Sequence, residues 1–195
     1  MTLRADLAVI AANVRPGTRV LDVGCGDGAL MDVLQSANRC DARGMELDAE
    51  LVERCVARGL SVVQGDADRD LAEYPDKAFD YAILSQTLQT AARPDKLLDE
   101  LLRVGRQAFV SFPNFAHWRT RAALMFGGKM PVTRSIPVSW YETQNIHHVT
   151  VADFRDLIDQ MGVKCERAWF FAGDRSIGNA AANLRAEHAV FELSR

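Results

Sequence analysis

Leucine, valine, isoleucine and alanine recur at helical spacing over residues 4–14, and Pro16-Gly17 closes the stretch. That periodicity with a proline–glycine stop predicts a lead helix with one apolar face. An apolar run over 18–23 predicts a buried strand, and Ala29-Leu30-Met31 with Val33-Leu34 predict a helix reaching about Asn38. A second strand is expected at about 40–46, a helix over 48–58 facing inward through Leu51, Val52, Cys55 and Val56, and a third strand at 61–64. Gly59 is placed to end that helix in the left-handed conformation. Further strands follow at 79–84 and 107–112, separated by a helix that Pro94 begins and whose Leu97, Leu98, Leu101 and Leu102 face inward. Strand alternating with helix requires a parallel sheet with helices on both faces.

The alternation stops after Pro113-Asn114. Residues 114–149 show no regular period and carry Arg119, Arg121, Lys129 and Arg134 against Glu142, a local +3. Gly127-Gly128 and the aromatic pair Trp140-Tyr141 lie in the same segment. A connection this long is usually functional or mobile, and it is expected to lie over the ligand crevice. Thr150, with Asp153 three residues on, reads as a capping box that opens a helix buried through Phe154, Leu157, Ile158 and Met161 and ended by Gly162. Strands at about 164–171 and 188–193 follow, joined by a polar segment, and their natural arrangement is an antiparallel pair. Without repeats or a second pattern, the reading is one domain over 1–195 with an insertion at about 114–149.

Composition adds exclusions. At 195 residues, 48% hydrophobic and 25% charged, the chain has the make-up of an ordinary globular protein. Its formal net charge of −3 supplies no global field for nucleic acid or an anionic membrane. No stretch approaches the ~20 apolar residues of a membrane span, and the first residues lack the pattern of a secretory signal. Cys25, Cys40, Cys55 and Cys165 have no C-x-x-C spacing, so they read as reduced thiols of a cytoplasmic protein, with no metal expected.

The first strand ends in the most informative stretch, Val20-Leu21-Asp22-Val23-Gly24-Cys25-Gly26-Asp27-Gly28. Glycines directly after a buried strand let backbone approach a nucleotide-like ligand where a Cβ would collide. Spacing alone also fits a dinucleotide fingerprint, since Gly24, Gly26 and Ala29 satisfy its alanine-ended form. Charge favours a different ligand. A pyrophosphate gains from bare amides and a helix dipole, whereas Asp22 and Asp27 bracket these glycines and suit a cation, the sulfonium and ammonium of S-adenosylmethionine. Glu46, at the end of strand two and twenty residues past Gly26, is placed to accept both ribose hydroxyls. Asp66 is a candidate for the adenine amino group, with the next amide, at Ala67, on a ring nitrogen. Ser85-Gln86-Thr87-Leu88-Gln89 falls where strand ends converge. If the chain transfers a methyl group, Glu142, His147 and His148 are the nearest candidates for a proton acceptor.

The succession Leu21-Asp22-Val23-Gly24-Cys25-Gly26-Asp27-Gly28, Glu46, Gly65-Asp66 and a closing strand pair resembles the class I S-adenosylmethionine-dependent methyltransferases. Within them, Ser85 to Gln89, Ser111-Phe112-Pro113-Asn114-Phe115-Ala116-His117-Trp118-Arg119, Met130-Pro131-Val132-Thr133 and Trp140-Tyr141-Glu142-Thr143-Gln144-Asn145-Ile146-His147 resemble the MetW family of methionine-biosynthesis proteins. The resemblance covers nearly the whole chain. It implies an α/β, Rossmann-like fold, a mostly parallel seven-stranded sheet with an antiparallel C-terminal pair. It also implies binding of S-adenosylmethionine or S-adenosylhomocysteine through Asp22, Gly24, Cys25, Gly26, Glu46, Leu47, Asp66, Ala67 and Ser85. The family association makes a homoserine O-acyltransferase the expected protein partner, with small-molecule methyl transfer as the alternative activity.

Overall fold

A computed structural model describes residues 3–133 and 136–195, so Arg134, counted above among the basic residues of the long connection, lies outside the described residues. The elements run α1 (Ala5–Asn13), β1 (Arg19–Val23), α2 (Ala29–Ser36), β2 (Asp41–Glu46), α3 (Ala49–Ala57), β3 (Ser61–Gln64) and α4 (Ala67–Asp70). There follow β4 (Phe79–Ser85), α5 (Pro94–Val104), β5 (Gly105–Pro113), α6 (Trp118–Gly127) and α7 (Val151–Gln160). The chain closes with β6 (Lys164–Ala172), β7 (Arg175–Ile177), α8 (Ala182–Arg185) and β8 (His188–Ser194).

All eight strands form one sheet in the order β3-β2-β1-β4-β5-β8-β6-β7. The first five positions are parallel, and β8 runs antiparallel between β5 and β6. Seven of these strands are the expected ones. The eighth, β7, is a three-residue edge strand folded back on β6 after Gly173 at φ 60°; it is too short and polar to carry an apolar pattern. From β1 the chain winds outward to β3, then returns to β4 on the other side of β1. That reversal opens a crevice at the C-terminal ends of β1 and β4.

Alternation along the strands divides the core in two. Leu21, Val23, Ala82, Leu84, Ala108, Val110 and Phe112 pack with the α5 leucines and with Phe154 and Ile158 of α7. Val20, Tyr81, Ile83, Phe109 and Val190 pack on the opposite face with Ile10 of α1, Leu30, Met31 and Leu34 of α2 and Cys55 of α3. Helices therefore cover both faces. By the same parity Asp22 lies on the α1 side with Val20, and Ser111 with Phe109.

The 114–149 connection departs from the irregular segment that the pattern suggests. It contains the ten-residue helix α6, of which only Thr120 is buried. An amphipathic stripe is the sequence signal for a surface helix, and α6 has none because most of its apolar side chains face outward. The capping box of α7 forms as expected, with Thr150 Oγ1 accepting from the Asp153 amide at 3.1 Å. Among the described residues no helix is long and apolar enough to cross a membrane.

Candidate functional site

The loop after β1 is folded around two glycines with positive φ, Gly24 at 71° and Gly26 at 58°. The Gly24 amide donates to the Met45 carbonyl at 2.8 Å, lashing the loop to the end of β2. A Cβ at Gly24 would collide with the Thr87 side chain, meeting Cγ2 at 2.9 Å, whereas at Gly26 it would enter open space. Glu46 crosses to the loop. Its Oε2 accepts from the Gly26 amide at 2.8 Å, and Oε1 accepts from the Leu47 and Asp48 amides at 2.9 and 3.1 Å. A carboxylate offers about four acceptor positions, so this anchoring leaves one and fixes the direction in which it points.

A cleft of about 310 Å³ lies beside this loop, lined by Gly24, Glu46, Leu47, Asp66 and Ala67 from the expected set. Asp66 also caps α4, its Oδ1 accepting from the Asp68 amide at 3.0 Å. Gln86, Thr87, Thr90, Ala91 and Gln144 complete much of the wall. None of these five stands out alone in the sequence as a ligand contact; only the run of polar residues after β4 points toward Gln86 and Thr87.

Asp22, Cys25, Gly26 and Ser85 do not line that cleft. Asp22 is buried, and its Oδ1 has no hydrogen-bond partner among the described residues. Burial pushes its carboxyl up to about 7, opposed by the charge of Arg4 and reinforced by that of Glu46. Burial likewise drives the Cys25 thiol far up, with the Asp22 charge adding to it, so it stays a protonated packing group. Cys55 Sγ, from α3, supports the loop from below by donating to the Gly26 carbonyl at 3.3 Å. Ser85 faces a network centred on Asp6, a buried acid in α1. Asp6 accepts from Arg4 Nε at 3.2 Å, Ser111 Oγ at 3.0 Å and Ser85 Oγ at 3.2 Å. Burial alone would raise the Asp6 carboxyl, but the Arg4 charge and the hydrogen bonds from Arg4 and Ser111 hold it below its ordinary value. Arg4 and Asp6 escape pattern reading because they look like ordinary first-turn residues of a helix.

Glu142, His147 and His148 are placed elsewhere. Glu142 is exposed and accepts from Ser139 Oγ at 2.5 Å. The His147 and Ile146 amides donate to the Gln89 carbonyl at 3.0 and 2.9 Å, and the His148 ring meets Phe115 edge-on at 4.9 Å. Gln144 is the member of this stretch that reaches the cleft. Among the described residues no group of three or more His, Cys, Asp or Glu side chains is placed to hold a metal ion.

A cleft lined by the acids Glu46, Asp66 and Asp68 thus lies beside a glycine loop, at the reversal of a 3-2-1-4-5 sheet. The family model for methionine biosynthesis protein MetW matches residues 4–193. The chain belongs to the MetW family. A curated relative, the bifunctional methionine biosynthesis protein MetXA/MetW of Rhodopirellula baltica, is 33% identical over 207 residues. The match takes in 100% of this chain and 33% of that protein, so the chain spans about a third of the length of the curated relative it matches. Among solved structures, an S-adenosylmethionine-dependent methyltransferase of Archaeoglobus fulgidus superposes with TM-score 0.73 at 15% identity, covering 98% of this chain and 92% of the other. Another from Mesorhizobium loti gives 0.73 at 18%, covering 98% of each. The [4+2]-cyclase SpnF gives 0.66 at 18%, covering 98% and 81%. These likenesses assign the MetW chain a class I methyltransferase fold. The presence of a cyclase among them shows that the fold alone does not fix the reaction.

Proposed function

We propose that this chain holds S-adenosylmethionine, or S-adenosylhomocysteine, in the glycine-loop cleft and serves as a partner subunit of a homoserine O-acyltransferase in methionine biosynthesis. In this reading Gly24 and Gly26 face the amino-acid end of the ligand, Glu46 the ribose, and Asp66 with Ala67 the adenine. The acids fit a cation: Asp22 has a buried oxygen with no hydrogen-bond partner among the described residues, and ionising it beside a sulfonium or ammonium removes the cost of a lone buried charge. Glu46 has one free acceptor position in this arrangement, so engaging both ribose hydroxyls requires one of its three amide contacts to yield.

The observation that carries the partner reading is the relative in which a MetW part is joined to a MetXA part in one polypeptide. A surface suited to such contact is present. In and after α6, Met125, Phe126, Trp140 and Tyr141 are between 71% and 85% exposed, and aromatic and Met side chains are enriched in interface cores. On this reading the whole chain is one domain and the 114–149 segment is its partner-facing insertion. Co-purification with the acyltransferase of the same cell, with calorimetry against both sulfur nucleosides and NAD, tests the proposal. A complex that forms equally well when Phe126 and Trp140 are replaced by alanine removes the interface assignment. Tight NAD binding with no heat from either nucleoside removes the ligand.

Small-molecule methyl transfer is the second reading, and one feature favours it. A separate cleft of about 190 Å³ shares Gln86 with the glycine-loop cleft, which gives room for a second reactant beside the first.

A further inference from the structure

That second cleft opens at the C-terminal ends of β4 and β5 against the start of β8, and its polar lining is Arg4, Asp6, Gln86, Asp174, Glu187 and His188. Gln86 forms the partition, and it does so in the left-handed region at φ 53°, which an L residue with a long side chain seldom adopts. Its amide donates to the Ser111 carbonyl at 2.8 Å, its carbonyl accepts from Gln89 Nε2 at 2.5 Å, and its Nε2 donates to Asp6 at 3.4 Å. Gln86 is thus held from three directions in a conformation that costs energy, a kind of residue that clusters at functional sites.

The cleft presents three unused binding groups. Arg4 commits Nε and Nη2 to Asp6 and Ser85, while its Nη1 makes no hydrogen bond among the described residues, leaving a cationic edge suited to a carboxylate. Glu187 accepts the Gly173 amide on Oε2 at 3.1 Å, leaving Oε1 for a cationic donor. His188 stacks flat on Phe171, with ring centroids 5.0 Å apart, and its buried Nε2 has no hydrogen-bond partner among the described residues. Burial holds that imidazole below its ordinary pKa, against the carboxylates of Asp6, Glu187 and Asp174. Burial thus disfavours its charged form, which suits the ring to a hydrogen bond rather than to competing with the ligand's own charge.

We propose that this cleft is a second small-molecule site that binds a compact zwitterion of α-amino acid size, its carboxylate on Arg4 and its ammonium on Glu187. The assignment rests on the lining of this cleft and not on the identity of the ligand beside Gly24.

The test titrates the full chain with L-2-aminobutyrate, and in parallel with 1-aminopropane and butyrate, which each carry one of its two charges. The His188 ring resonances report the site directly. The amino acid is expected to shift them saturably and at least about tenfold more tightly than either single-charge analogue, the difference one charge-assisted hydrogen bond makes. E187Q is expected to lose about tenfold with the rest of the spectrum unchanged. Equal binding of 1-aminopropane, an unaltered affinity in E187Q, or no saturable shift at His188 overturns the proposal. So does displacement of the probe by S-adenosylhomocysteine, which would give the cleft to the nucleoside's own amino-acid end. If S-adenosylhomocysteine fails to bind anywhere, the reading of the glycine-loop cleft fails while the amino-acid titration still decides this one.

Discussion

The glycine-loop corner and the α6 segment lie in one chain yet end their polar and apolar groups in opposite ways. At the corner, Gly24, Gly26, Glu46, Leu47 and Asp48 exchange short backbone and side-chain hydrogen bonds, and the thiols beneath are buried. In and after α6, Phe126 is 85% exposed and Trp140 76%. Single exposed apolar residues are ordinary on a protein surface, whereas several large ones along one segment point to an interaction. The corner is shaped by contacts within the chain, whereas the segment leaves large apolar side chains exposed, the surface proposed above for a partner. Substitutions at the two should therefore separate cleanly, ligand and fold responding to one and assembly to the other.

Gly24→Val should have the largest effect and strike both fold and ligand. A branched side chain there must adopt positive φ, at about 1–2 kcal/mol, and overlap Thr87, at about 1–3 kcal/mol more. Denaturant unfolding should show a loss of roughly 2–5 kcal/mol. Gly26→Val, whose Cβ enters open space, should lose only the backbone part while abolishing nucleoside binding in calorimetry. If both variants unfold alike, the corner is merely a folding element.

Next comes the double change Phe126→Ala with Trp140→Ala. Its stability should stay within about 0.5 kcal/mol of the parent, as for surface positions generally. Affinity for the acyltransferase in a pull-down or calorimetric titration should fall by about 2–4 kcal/mol, the scale of interface hot spots. A loss of nucleoside binding with an intact complex would make the segment a lid and erase the contrast. Glu46→Ala is expected to weaken nucleoside binding by ~1.5–3 kcal/mol and to leave the complex alone; an unchanged dissociation constant would place the ribose elsewhere.

The smallest effect sharpens the corner's electrostatics. Asp22 has a folded pKa of about 7 against an unfolded value of about 3.9, so between the two the folded state carries more protons. Its contribution to stability is fully present below about pH 4 and is lost as pH rises through about 7, with a slope of at most ~1.4 kcal/mol per pH unit. Asp22→Asn should lack this slope in unfolding measurements across that window. A cationic ligand favours the ionised form, so nucleoside affinity in the parent should rise from pH 6 to pH 8 and be nearly flat in the variant. A flat parent profile would detach Asp22 from ligand charge.

Local chemistry was the part of this molecule open to reading from residues alone. Strand runs such as 61–64 and 79–84, the Gly59 and Gly162 helix ends, the Thr150 cap and the twenty-residue step from Gly26 to Glu46 all depend on neighbours in sequence, and each appears where expected. What escaped depends on distant partners. Asp6 is buried among partners that include Ser111 and Ser85, 105 and 79 residues away. Thr87 matters because it abuts Gly24, and Gln86 because it divides two clefts; neither fact leaves a local mark. Helix α6 was hidden for the opposite reason, since a helix whose apolar residues face outward has no inward stripe to detect.

The position of β8 sets the timing of assembly on the ribosome. This strand sits between β5 and β6, so β5 keeps an open edge, with Ala108 to Phe112 along it, until residues 188–194 have been made. Pro113 and His188 are 75 positions apart, which at ~5–20 residues per second means about 4–15 s of synthesis. During that interval a strand that ends up almost wholly buried has no neighbour on one side, the condition in which strand edges recruit other chains. A newly made chain is thus open to edge-to-edge pairing at β5 in a way that the folded one is not.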